Sequence, residues 1–174
     1  MWNVSEAKYA DFWDAKSVVQ RLKKFPLNWN SVQEVRDRCI LVLRLFHLCR
    51  SIDLSQASRT SAVQGGSLYW LLKRKGRLRP TFEQLMALPE RTMSPSCLLL
   101  RYVSLTSGQG SPGGPVFVSL HPPYKALTAN SIGRITKKVA AAARSACVSV
   151  RAPFDQGGWS QDVERFWFAF RGGL

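Results

Sequence analysis

"LVLRLFHLCRSIDLSQ", residues 41–56, begins as an apolar helix and sets Arg50 and Asp53 at the point where the apolar run stops. Upstream, "NWNSVQEVRDRC" (28–39) places Ser31 three residues before Glu34, the spacing of a capping box that opens a helix. The two stretches together predict one long helix at the centre of a core. Two readings fit the ion pair at its end. Arg50 and Asp53 can each act locally, the cation on the carbonyls of the closing helix and the anion in the first turn of the next. Alternatively Asp53 holds the Arg50 guanidinium, because a cation at the rim of an apolar helix needs a counter-charge, and the fork is then aimed at an outside anion.

Working outward, "FWDAKSVVQRLKKF" (12–25) carries Phe12, Val18, Val19 and Leu22 at amphipathic spacing and predicts a helix that stops before Pro26. "SLYWLLKRKGRLRP" (67–80) reads as a strand running into a turn at Gly76, and five of the seven residues from Lys73 to Arg79 are basic. If the strand continues through this cluster, Lys73, Lys75 and Arg77 share one face and Arg74 the other. "SPSCLLLRYVSLTS" (94–107) opens a helix with Ser94 as cap and Pro95 in the first turn. "SGQGSPGG" (107–114) contains a formal GxGxxG, but a helix precedes it and a strand, "PVFVSL" (115–120), is predicted to follow. That is the wrong order for a dinucleotide fingerprint, so the loop reads as a flexible connector. After the proline-rich turn "HPPYKAL", a helix "TANSIGRITKKVAAAAR" (128–144) is capped by Thr128 or Asn130 and carries Lys137 and Lys138.

The 174 residues suit one substantial domain, and 45% hydrophobic content is that of a folded chain. Lys and Arg number 25 against 11 acidic residues, a formal charge of +14. An excess of this size favours a polyanionic partner, since each neutralised phosphate releases counterions; a merely solubilising surface is the plainer alternative. Cys39, Cys49, Cys97 and Cys147 form no CxxC pair and the two histidines complete no metal-ligand spacing, so no metal and no other cofactor is expected. With no secretory pattern at the start and no apolar run long enough to span a bilayer, the expectation is an intracellular protein with reduced thiols, off the membrane.

The segment "LCRSIDLSQAS", followed in order by the basic turn "LLKRKGR", the helix "SPSCLLLRYVSLT" and "PVFVSLHPPYKALTANSIGRITKKV", resembles the catalytic domain of tyrosine recombinases, the integrase family of mobile elements. The likeness covers most of residues 12–139. It implies a mostly helical α+β core with a small β-hairpin or sheet, incomplete at the C-terminus: a partial catalytic domain over 1–144 and a divergent tail with a short aromatic helix over 145–174. By the same resemblance Arg50 is the phosphate-holding arginine, supported by Asp53. Lys75 is the general acid, with Lys73 in reserve, and Trp159 in "GGWSQDVERFWFAF" takes the His-or-Trp position. Phe170 or a neighbour stands where the nucleophilic Tyr belongs.

From Thr128 onward there is neither a His nor a Tyr. The His-x-x-Arg box and the nucleophile that the family uses are therefore missing, and impaired strand cleavage is the expectation. What remains is a surface for the phosphate backbone of duplex DNA, formed by Lys73, Arg74, Arg77, Arg79, Lys137 and Lys138, with self-association on DNA an option and a nuclear location if the host is eukaryotic. A noncatalytic basic protein that binds RNA is the alternative.

Overall fold

Ser31 opens helix α2 (Val32–Phe46) by accepting the Glu34 N–H at 3.3 Å. Glu34 does not close the reciprocal half of the box. Its carboxylate accepts from the Asn28 N–H at 3.1 Å, and the Ser31 N–H goes to the Asn28 carbonyl at 3.0 Å, because the chain folds back tightly just before the helix. α2 buries Val35, Cys39, Ile40, Leu41, Val42, Leu43 and Phe46. A helix apolar on nearly every side must sit at the centre, and it does.

The computed structural model describes residues 15 to 145, residue 75 excepted. Over these residues the fold is α+β, with five α-helices and one antiparallel sheet of three strands. α4 (Pro95–Leu105) and α5 (Ala129–Ser145) pack directly on α2, and the short α3 (Ser51–Ser55) packs on α5. α1 (Ala15–Lys24) lies against α5, so the first and last described helices are neighbours. Buried Arg38 of α2 donates to the Leu22 carbonyl at 2.6 Å and the Phe25 carbonyl at 3.3 Å, satisfying the open end of α1.

Caps set the other helix starts. The Ser94 hydroxyl accepts the Cys97 N–H at 3.5 Å with Pro95 in the first turn, and the Thr128 hydroxyl accepts the Ser131 N–H at 3.2 Å, which decides between the two candidate caps of α5.

Strands β1 (Ser61–Gln64), β2 (Ser67–Leu72) and β3 (Thr81–Gln84) run in that order across the sheet. The β1–β2 turn is Gly65–Gly66, both at positive φ (55° and 76°), the left-handed pair that a two-residue hairpin requires. Leu68, Trp70 and Leu72 alternate into the core. The Trp70 indole N–H donates to the Ser58 carbonyl at 2.8 Å, and its ring meets Phe117 edge-on at 6.4 Å. Phe117 in turn stacks on Tyr102 at 5.5 Å, whose hydroxyl accepts the Val118 N–H at 3.2 Å.

Three expectations fail here. "PVFVSL" forms no strand: Val116, Phe117 and Val118 are all buried, without alternation, and the segment makes single bridges, Ser58 to Pro115 and Val118 to Ala126. It threads the core as a connector whose N–H and C=O groups are taken up singly by Ala57 and Leu127.

The glycine-rich loop is not slack. Arg59 reaches it with Nε to the Pro115 carbonyl (3.2 Å), Nη1 to the Thr106 carbonyl (3.0 Å) and Nη2 to the Thr106 hydroxyl (3.0 Å). Gly110 lies so near that a Cβ there would stand 2.7 Å from Arg59 Nε.

Finally, the strand does run into a turn at Gly76, but it ends at Leu72, before the basic cluster, and the turn is closed by the Arg77 N–H on the Arg74 carbonyl at 3.1 Å with Gly76 at φ 87°. The period-two grouping of Lys73 with Arg77 does not apply to it.

Candidate nucleic-acid interface

Arg50 ends the α2–α3 junction as the residue before α3, with an extended backbone (φ −75°, ψ 158°) and an exposed side chain. Asp53, 2% exposed, accepts the Arg50 backbone N–H at 2.8 Å. The carboxylate thus fixes the peptide of Arg50. The expected pairing of Asp53 with the Arg50 guanidinium is replaced by one with Arg74, whose Nη1 stands 3.9 Å from Asp53 Oδ2.

Arg74 is the hub of this corner. Its Nε and Nη2 clasp Glu83 at 2.9 and 2.6 Å, and Nη2 also donates to the His47 carbonyl at 3.0 Å. The fork is the geometry that only a guanidinium offers a carboxylate. Hydrogen bonding to Glu83 raises the Arg74 pKa, and the same bond holds the Glu83 carboxyl below its ordinary range; the two shifts agree in direction. Arg74, grouped by sequence with the DNA-facing cations, is therefore engaged with the protein itself.

His47 completes the node. Its Nε2 accepts the Met86 N–H at 3.2 Å, which requires the neutral ring, and burial together with the Arg74 charge pushes its pKa down, Glu83 opposing. Burial likewise pushes the nearby Cys49 thiol up to about 12, which leaves it protonated and inert.

The consequence is positional. Arg74 fastens the start of the β2–β3 turn to the helix junction, so the turn that carries exposed Lys73, Arg77 and Arg79 is rooted at the junction that carries exposed Arg50. On α5, Lys137 and Lys138 are exposed, and Arg134, which carries no signal in the sequence pattern, is exposed one turn earlier on the same flank. Arg44 is equally silent in the sequence. Half-buried, it joins three helices by donating from Nη1 to the Ser51 hydroxyl (3.1 Å) and the Thr136 hydroxyl (3.0 Å). An Arg followed by an apolar pair does not announce that link, which spans 92 residues to Thr136.

Lys75, Trp159 and Phe170 lie outside the described residues, as does the tail 146–174. Among the described residues no group of three or more His, Cys, Asp or Glu could hold a metal ion, and no helix is long and apolar enough to cross a membrane. No protein-family model matches this chain, and no curated protein matches it.

Proposed function

We propose that this chain is a duplex-DNA-binding protein built like the catalytic core of a tyrosine recombinase. The observation that carries the reading is the shared carboxylate: Asp53 takes the Arg50 N–H and faces the Arg74 guanidinium, so the exposed arginine at the helix junction and the basic turn form one corner. A net charge of +14 supplies the long-range attraction. Arg50 then meets one phosphate while Lys73, Arg77 and Arg79 meet others along the backbone. Strand cleavage is not part of the proposal. Tyr102 is buried with its hydroxyl accepting the Val118 N–H and its pKa raised by burial, which suits packing and not attack.

Titrating a fluorescent duplex at several salt concentrations tests this directly. Replacing Lys73, Arg77 and Arg79 together by Ala should lower the magnitude of the slope of log K against log salt by roughly 2 to 3, about one for each phosphate that is no longer neutralised. An unchanged slope would remove the turn from the interface. Stronger competition by structured RNA than by duplex DNA at equal salt would replace DNA by RNA as the partner.

A further inference from the structure

The turn between β2 and β3 carries Arg77, Leu78 and Arg79 in succession, and Leu78 is 97% exposed; the next most exposed large apolar side chain among the described residues, Val63, is at 70%. A single exposed leucine is ordinary on a protein surface. This one stands in a turn that is fastened at its base by Arg74 on Glu83 and the His47 carbonyl. The turn is drawn in further by the Arg77 N–H on the Arg74 carbonyl and by Arg77 Nη1 on the Thr81 hydroxyl at 3.3 Å. Pro80 follows and fixes the outgoing backbone. The side chain is thus presented on a held support, with an arginine on each side of it in the chain.

We propose that Leu78 is a wedge that enters a base step of duplex DNA from the minor groove, with Arg77 and Arg79 on the flanking phosphates. The inference rests on the DNA-binding reading and specifies how the duplex is engaged. An apolar pocket on another protein would have to desolvate both arginines, whereas a groove offers an apolar base stack between two rows of negative charge. The step entered is a pliable pyrimidine–purine one, and the duplex bends away from the wedge.

The full chain is mixed with a duplex holding 2-aminopurine beside a central TA step and a donor and acceptor dye at its ends. Wild type should raise the 2-aminopurine emission as the base unstacks, and should bring the dyes closer. Leu78→Ala should keep the salt slope, bind roughly tenfold more weakly, as for the removal of one groove interaction, and abolish most of both signals. Leu78→Phe should retain them. Wild-type binding without unstacking, or an Ala variant with undiminished signals, overturns the wedge and leaves the DNA-binding reading standing. Failure of the wild type to bind any duplex takes both down.

Discussion

Replacing Arg74 by Ala removes the fastening between the β2–β3 turn and the helix junction. The hydrogen bonds from Nε and Nη2 to Glu83, at 2.9 and 2.6 Å, disappear, and so does that from Nη2 to the His47 carbonyl, at 3.0 Å. The Glu83 and Asp53 carboxylates stay in the same corner without the Arg74 cation between them. Breaking a fully buried pair costs about 3 to 5 kcal/mol and an exposed one about 0.2 to 1 kcal/mol. Both Arg74 and Glu83 keep 23% of their side-chain surface in water. That places the destabilisation between these limits, at about 2 to 3 kcal/mol. For a folded body of about 130 residues this lowers the melting temperature by roughly 7 to 11 °C. Thermal unfolding followed by far-UV circular dichroism reads the shift. Arg79→Ala, five residues on and exposed, is the control and should stay within about 0.5 kcal/mol of wild type. Coincident melts for the two variants would refute the hub.

Stability should fall with acid in two steps. His47 is held neutral, below its usual value of 6.5, so its contribution is complete above that value and declines as pH falls through the lowered one. Glu83 adds a second decline, with its contribution complete above the ordinary 4.5 and fading as pH falls through its depressed value. Melting temperatures measured from about pH 8 to pH 3 should show both limbs, and Glu83→Gln should flatten the lower one; a flat wild-type profile would contradict the node. Gly110→Ala should cost about 1 to 2 kcal/mol, because a Cβ 2.7 Å from Arg59 Nε displaces the guanidinium from Pro115 and Thr106. Chemical denaturation measures it, and a neutral result would mean that the loop shifts freely.

The elements legible in the sequence were those specified within a few residues. Ser31 and Ser94 each cap their own helix through a bond to the third residue on and were legible from local sequence, while for α5 the sequence narrowed the cap to Thr128 or Asn130 and the structure takes Thr128. The apolar stretch after Arg38 could only be a central helix. What spacing could not reveal were partners brought together by the fold. Arg59 meets the glycine-rich loop from 47 and 56 residues away, turning an apparent connector into a pinned one. Val116–Phe117–Val118 has the composition of a strand, yet its neighbours offer single bridges and no ladder. At the opening motif the sequence offered two readings of Arg50 and Asp53, and the local one holds for Asp53, whose carboxylate takes the Arg50 N–H in the first turn of α3. The guanidinium that Asp53 does face, that of Arg74, comes from the turn after β2, and no local pattern announces it.

The neighbouring placement of α1 and α5 constrains how the chain can be made. Synthesis proceeds from the N-terminus, and α2, which emerges early, lacks its α5 neighbour until residues 129–145 leave the ribosome. Folding of this body is therefore a late event on the nascent chain, and a fragment stopped short of α5 should be captured by chaperones or aggregate rather than persist as a smaller domain.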